Sequence, residues 1–152
     1  MTRTELLRHM NSLDACPEAL AWIERTPGRT NALWELCPRG DWMLWLASQA
    51  GVDLRRIVLA ACACVRPALV HVPAGEDRPR LAIETAERWA RGDATIEAVR
   101  AAHSGAYAAA AATCSIYAAD AADARAKSLA HSADLVRAQI PWATVEAALE
   151  NK

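Results

Sequence analysis

The hydrophobic and polar positions of the chain recur at helical spacing, and Pro or Gly interrupts them at short intervals in the first half. This pattern predicts short helices that are separated by tight turns. Their predicted bounds are Thr4 to about Asn11, Pro17 to Thr26, and Thr30 or Asn31 to Cys37. Asp41 stands at an N-cap position ahead of the apolar residues 42–46, and Gly51 follows the predicted end of that helix.

A longer apolar helix is predicted next, with Asp53 as its N-cap and a span from Leu54 to about Val72 that Pro67 can kink. It is apolar around most of its circumference, which is typical of a central, largely buried helix. An amphipathic helix follows from about Arg80 to Arg91. Asp77 is its predicted N-cap, Pro79 lies in its first turn, and Gly92 ends it. Its apolar face consists of Leu81, Ala82, Ile83, Ala86, Trp89 and Ala90.

The second half is rich in alanine, and its predicted helices are longer. Helical spacing relates Ile96, Val99, His103, Tyr107, Ala110 and Cys114, with breaks possible at Ser104-Gly105, and a last helix begins at Pro141 and runs to Leu149. Alanine side chains end at Cβ, so helix axes can approach more closely than the usual 8–10 Å. We therefore predict a tightly packed antiparallel pair or trio of helices in this half.

No alternation of Val, Ile and Thr extends beyond three residues, so no strand is predicted. The fold class is therefore all-α: a single-domain bundle of roughly 7–9 helices with an alanine-rich, closely packed C-terminal half. Residues 1–92 form its Trp-rich part with short helices, and residues 93–152 form its alanine-rich part with long helices.

Composition narrows the class of protein further. Hydrophobic residues make up 53% of the 152 residues, which excludes disorder for most of the chain. The net charge of −1 argues against a nucleic-acid surface or a polybasic membrane anchor. The N-terminus has no apolar signal segment, and the apolar segments 57–70 and 101–119 are too short or too rich in alanine to enter a membrane. We predict a cytoplasmic protein, and the odd count of five Cys fits that reducing compartment.

Metal, cofactor and catalytic signatures are not found in the sequence. Cys62 and Cys64 lie two apart on a helix and point about 200° away from each other, so they cannot clamp one metal ion. The four His are scattered without ligand spacing, and there is no glycine-rich phosphate loop or nucleophile elbow. We therefore predict no metal, no cofactor and no catalytic residues, although triads that assemble in space leave an enzyme as a lesser alternative.

The segment from Trp34 to Trp45 carries the densest chemical information in the chain. Arg39 can pair with Asp41 or with a neighbouring carboxylate. Trp42 and Trp45 lie three apart on one helical face, which predicts that they fill the core. Trp combined with Arg is also the composition of binding hot spots and of pockets that stack planar ligands.

A second charged segment spans residues 76–84, where Arg80 and Glu84 form an i,i+4 pair. Arg66 lies inside the apolar helix, so it must find a carboxylate, reach solvent or line a polar pocket. Its candidate partners are Asp41, Glu76, Asp77 and Glu84.

His71 ends the helix, where the dipole favours its protonated form. The candidate ligand- or partner-binding residues are Trp34, Arg39, Asp41, Trp42, Trp45, Arg66, His71, Arg78, Arg80, Glu84 and Tyr107.

These segments resemble the immunity-protein-five-like helical class of bacterial polymorphic-toxin systems. The matching segments are 16–20 with Trp22, 33–46, 56–66 and 76–84, and the alanine-rich second half is similar in style. The Pro-Arg-Gly-Asp-Trp block at 38–42 and the Asp-Arg-Pro block at 77–79 are the most specific of them. The resemblance implies a non-enzymatic helical protein, encoded beside a toxin, that neutralises the toxin by binding. It supplies no catalytic residues.

Two other functions remain open from the sequence. Similar small proteins also occur in phage and mobile elements, where the task can instead be to sequester a small signalling molecule. A nucleotide-like ligand would then pair with Arg39, Arg66, Arg78 or Arg80 and stack on Trp34, Trp42, Trp45 or Tyr107. The third hypothesis is an enzyme that uses Asp41, His71 or Glu84. The alanine-rich face can pack within the chain or across a two-fold axis, and of these we favour a homodimer.

Overall fold

Every regular element is a helix in the part of the chain that the computed structural model describes, residues 1–102 and 121–151. The elements are α1 (Arg3–Ser12), α2 (Pro17–Arg25), α3 (Thr30–Leu36), α4 (Gly40–Ala50), α5 (Leu54–Val65), a 3₁₀ helix (Arg66–His71), α6 (Arg78–Arg91), α7 (Ala121–Gln139) and α8 (Trp142–Glu150). Residues 96–102 are helical as well. The predicted all-α, single-domain helical bundle is therefore confirmed.

Two predicted helix starts are wrong by a few residues. α1 begins before Thr4, because Thr2 caps it: the Thr2 hydroxyl accepts the Glu5 N–H, and the Glu5 carboxylate accepts the Thr2 N–H. Asp41 is not the N-cap of α4, since that helix already begins at Gly40 and its N-cap is Arg39. Asp41 lies instead in the first turn, where its negative charge is favoured by the helix dipole.

Other local signals are confirmed. The Asp53 carboxylate caps α5 by accepting the Arg55 N–H at 2.9 Å. Gly51 and Gly92 end α4 and α6 with φ of 87° and 94°, in the left-handed region that glycine adopts without strain. Asp77 occupies the N-cap position of α6 as predicted, although its side chain makes no capping hydrogen bond.

The predicted helix through Val72 is divided in two. The α-helical part stops at Val65, and a 3₁₀ helix continues to His71. Pro67 has no N–H to donate, and its ring clashes with the carbonyl one turn back, so an α-helix does not run through it undisturbed. The change of helix type places Arg66 at a junction between α5 and the segment that leads to α6.

The core lies where α4, α7 and α8 pack together, and the N-terminal helices complete it. Met43, Val136, Ile140 and Val145 are its largest fully buried side chains. α4 and α7 approach very closely at Gly40, because a Cβ added there would lie 2.7 Å from the Ser132 backbone carbon. This contact joins a helix of the Trp-rich part to a helix of the alanine-rich part. The antiparallel pair or trio predicted within the alanine-rich half falls partly on residues outside the described ranges.

α5 and α6 are less buried than the sequence predicts. Only Ala60 and Cys62 of α5 are buried, and Leu54 and Val65 are half exposed or more. On α6, Ala90 is buried but Leu81 of the predicted apolar face is 48% exposed. Leu59 and Ala63 of α5 line a groove between α6 and α7, so this face of the helix is only partly covered.

Some predictions fall outside the described residues. They include the spacing that runs from His103 through Cys114, the breaks at Ser104-Gly105, and the candidate Tyr107. Within the described ranges, none of the helices combines the length and the hydrophobicity needed to span a membrane.

Candidate functional site

Arg39, Asp41 and Trp42 form a compact arrangement at the start of α4. The Arg39 guanidinium donates two hydrogen bonds to the Asp41 carboxylate, from Nε at 2.8 Å and from Nη2 at 2.6 Å. Its central carbon also lies 4.6 Å from the centre of the Trp42 ring, which is a cation–π contact. This geometry confirms the predicted pairing of Arg39 with Asp41.

The charges of this pair reinforce each other. The hydrogen bonds from Arg39 hold the pKa of the Asp41 carboxyl below its usual value, and burial only partly opposes that shift. The Arg39 pKa is raised by the same hydrogen bonds. Both groups are therefore charged at neutral pH, and the ion pair is available at the surface because both side chains stay partly exposed.

Trp22 extends this arrangement along the surface. Its ring centre lies 6.3 Å from that of Trp42 with the planes at 54°, a tilted contact between α2 and α4. Both indoles are half-buried and pack against the core. We call Trp22, Arg39, Asp41 and Trp42 together the Arg39 surface.

Buried and partly buried hydrogen bonds tie the base of the Arg39 surface to distant parts of the chain. The Trp34 indole donates to the Ile140 carbonyl at 3.1 Å, which joins α3 to the start of α8. Arg137 of α7 donates to the carbonyls of Trp34 at 3.2 Å and Cys37 at 2.9 Å, and so satisfies the C-terminal end of α3. The turn that carries Arg39 is therefore fixed from below by residues about a hundred positions away.

The cavity beneath the Trp residues is small. Its volume is about 40 Å³, and its described lining includes Trp22, Trp34, Trp42, Met43 and Trp142 but no charged side chain. Small-molecule sites typically have volumes of about 300–1,000 Å³. The gap can hold water, but it cannot hold a nucleotide between an arginine and a tryptophan.

The other two tryptophans of the predicted site, Trp34 and Trp45, pack into or against the core. Trp34 is buried, and its ring packs 5.9 Å from that of Trp142. Trp45 is half-buried against the core rather than fully inside it. The prediction that Trp42 and Trp45 fill the core is therefore correct only in part, since both keep an exposed edge.

The second charged segment forms exposed ion pairs at the start of α6. Arg80 donates to Asp77 at 2.9 Å and to Glu84 at 3.0 Å, which confirms the predicted i,i+4 pair. Arg78 binds the Glu76 carboxylate, and its hydrogen bonds lower the Glu76 pKa to about 2. These residues lie on a solvated face and do not come together with Arg39.

Arg66 pairs with a carboxylate that the sequence analysis did not consider. None of the four expected partners binds it; its Nη2 lies 2.6 Å from Glu87 Oε1. Glu87 follows Ile83 by one helical turn, so it lies on the face of α6 that packs on α5. That spacing is the sequence signal that could have identified Glu87 as the partner of Arg66.

His71, the last residue of the 3₁₀ helix, is exposed.

The two cysteines of α5 diverge as predicted. The Cys62 thiol donates to the Ile83 carbonyl on α6 at 3.8 Å, and the Cys64 thiol donates to the Ser132 carbonyl on α7 at 3.5 Å. Burial raises the pKa of both thiols, so they remain protonated at neutral pH. Across residues 1–102 and 126–151, His, Cys, Asp and Glu side chains form no cluster of three that could hold a metal ion.

The chain is an all-α domain with a preorganised arginine–carboxylate–indole surface. No family model matches it, and comparison with curated proteins and with solved structures finds no match. The geometry of the described side chains therefore carries the functional conclusion, together with the sequence resemblance.

Proposed function

We propose that this protein is a non-enzymatic binding protein of the immunity type, which neutralises a cognate bacterial toxin by direct contact. The observation that carries the proposal is the Arg39 surface: a guanidinium held by Asp41 and stacked on Trp42 at the edge of a rigid core. The resemblance of residues 33–46 to immunity proteins supports the choice of a toxin as partner. Covering the active site of the toxin would suffice, with no chemistry on the toxin.

The Arg39 surface has the properties that favour protein recognition. Arg and Trp are enriched among residues that dominate binding energy at interfaces. Arg39 and Asp41 already hold each other in one geometry, so a partner need not order them when it binds. The apolar faces of Trp22 and Trp42 flank this pair and offer an area that a partner can cover.

The size of the cavity supports a protein partner over the nucleotide-like ligand. The gap among the tryptophans measures about 40 Å³, and Arg39 lies on the surface outside its described lining. The candidate carboxylates of the enzyme hypothesis are also engaged: Asp41 by Arg39 and Glu84 by Arg80. A carboxylate whose oxygens already accept hydrogen bonds from a guanidinium is poorly placed to accept a proton from a substrate as a general base.

Co-expression with the product of the adjacent gene tests the proposal. The expected result is a stoichiometric complex on size-exclusion chromatography and protection of the host cell from that product. The same chromatography reports whether the free protein is the homodimer that we favour. If the adjacent product is toxic and this protein neither binds it nor protects the cell, the proposal is wrong.

A pair of arginine variants locates the contact. Arg39→Ala should weaken the complex by about 2 kcal/mol, roughly 30-fold, because it removes both the guanidinium and the partner of Asp41. Arg80→Ala is the matched control, since Arg80 is also an exposed, ion-paired arginine but lies on α6. Circular dichroism should show both variants folded. An unchanged affinity for Arg39→Ala would exclude the Arg39 surface as the contact.

A further inference from the structure

We propose that the groove between α5, α6 and α7 binds a small anionic ligand that has an apolar body and a carboxylate or phosphate head. This site is separate from the Arg39 surface and does not depend on the proposed function. Its described lining includes Leu59, Arg66, Glu87, Arg91, His131 and Leu135.

The groove is built from side chains at helical spacing on three helices. α6 and α7 both pack on α5, so α5 forms the floor and the other two helices form the walls. The floor contributes Leu59 and Ala63, which lie one turn apart. The wall on α7 contributes His131, Leu135 and Gln139, again at intervals of one turn. The lining is thus one continuous face of each helix.

Among the described residues that line this groove, cationic groups outnumber carboxylates. Glu87 binds Arg66 at 2.6 Å, whereas its distance to Arg91 is 3.9 Å, which is beyond hydrogen-bonding distance. One carboxylate therefore faces two guanidiniums, and its own side chain is only 18% exposed. The His131 imidazole has an N–H donor in either charge state. The excess positive charge of this described lining is complementary to one further anion.

The volume of the groove fits a small molecule. It is about 550 Å³, within the range typical of ligand sites, whereas the gap under the tryptophans is about 40 Å³. Leu59 and Ala63 on the floor and Leu135 on the α7 wall add apolar surface beside the charged residues of the groove. An occupant with an apolar body can contact these three side chains while its anionic head binds Arg91 and His131.

Glu87 has a defined role in this proposal. It holds Arg66 and faces Arg91, so it orients the guanidiniums before a ligand arrives. The same carboxylate competes with the anionic head of the ligand for these donors. Removing the charge of Glu87 should therefore strengthen anion binding, and removing the charge of Arg91 should weaken it. A merely structural role for the cluster does not predict these opposite effects.

Isothermal titration of the full chain with four probes of one length tests the site. Octanoate and octyl phosphate carry the two candidate heads, octanol has no charge, and octylammonium has the opposite charge. The two anions should bind at least about fivefold more tightly than octanol, and octylammonium more weakly than octanol. The tighter of the two anions identifies the head group. Equal binding of octanol and the anions, or no binding of either anion at about 10 mM, would overturn the proposal.

Three variants sharpen the result. Arg91→Gln should weaken binding of the tighter anion about fivefold, and Glu87→Gln should strengthen it about threefold. Arg88→Gln is the matched control, because Arg88 is on the same turn of α6 but donates to the Asp93 carbonyl outside the groove. Its affinity should equal that of the wild type. Equal affinities for Arg91→Gln and the wild type would refute the site.

Discussion

Two sides of the molecule are held together by different means. Where α4, α7 and α8 meet, Ala47, Ala133, Val136, Ile140 and Val145 are fully buried and the helices touch at backbone distance. On the α5–α6 side, few of the side chains that the structure describes are buried, and these helices carry exposed ion pairs and border a groove. Packing of apolar surface stabilises a fold far more than exposed ion pairs do.

This difference in packing favours a different kind of binding on each side of the molecule. The tightly packed side gives the Arg39 surface a rigid base through Trp34 and Arg137, which favours recognition of a partner with little reorganisation. The α5–α6 side has room between its helices, which favours a small occupant. The Arg39 surface therefore lies on the tightly packed side, and the groove lies on the side with more space between its helices.

The largest contrast should appear in large-to-small substitutions. Ile140→Ala should lower the free energy of unfolding by about 4 kcal/mol, because Ile140 is fully buried and the tight packing cannot collapse around the cavity. Leu81→Ala, on the exposed part of α6, should cost about 1 kcal/mol or less. Urea denaturation of both variants measures the difference. Similar losses would mean that the two sides are packed alike.

A glycine variant tests the close approach of α4 and α7. Gly40→Ala should cost about 3 kcal/mol, since the new Cβ would overlap the backbone of Ser132 and Ala133. Gly75→Ala is the control: its φ is +87° but no atom lies within 4 Å, so only backbone strain of about 1 kcal/mol is expected. A Gly40→Ala protein as stable as the control would contradict the close contact.

The Arg66–Glu87 ion pair should contribute little to stability. A double-mutant cycle with Arg66→Gln and Glu87→Gln should give a coupling of about 0.5 kcal/mol, because the Arg66 side chain is 44% exposed and water screens the pair. Raising the salt concentration to about 1 M should reduce the coupling further. A coupling of several kcal/mol would show instead that ion pairs hold the α5–α6 side as firmly as packing holds the other.

The smallest expected effect is the pH dependence of the Arg39–Asp41 pair. The Asp41 pKa is lowered in the folded protein, so the pair contributes stability above the ordinary Asp pKa of about 4 and loses it as the pH falls through the lowered value. The contribution is at most about 0.5 kcal/mol, because the carboxylate is half exposed. Urea midpoints of the wild type and Asp41→Asn should therefore differ at pH 7 and converge as the pH falls through the lowered Asp41 pKa. If the difference between the two urea midpoints stays the same at every pH, the Arg39–Asp41 pair does not contribute to stability.

Local signals in the sequence predicted helix ends well. Asp53, Gly51 and Gly92 act through their own backbone and side-chain preferences, which do not require knowledge of distant residues. The Thr2–Glu5 capping box was equally local and was overlooked in favour of Thr4. The fold class followed from the same kind of information, the helical spacing of apolar residues.

The features that were mispredicted depend on which helices are neighbours. Arg66 could not be assigned to Glu87 until α6 was placed beside α5. The exposure of Leu81 likewise follows from how α6 packs and not from its amphipathic pattern. The Arg39–Asp41 pair was predictable because the two residues are only two positions apart, whereas the support from Arg137 comes from the other end of the chain.

Hydrogen exchange of the protein, alone and bound to the product of the adjacent gene, tests the central claim most directly. We predict that binding slows exchange at the backbone amides around the Arg39 surface, in residues 39–43 and in α2 near Trp22. Amides lining the groove, in α6 and the 3₁₀ helix, should exchange at unchanged rates. New protection confined to that groove, with residues 39–43 unaffected in a saturated complex, would contradict the account.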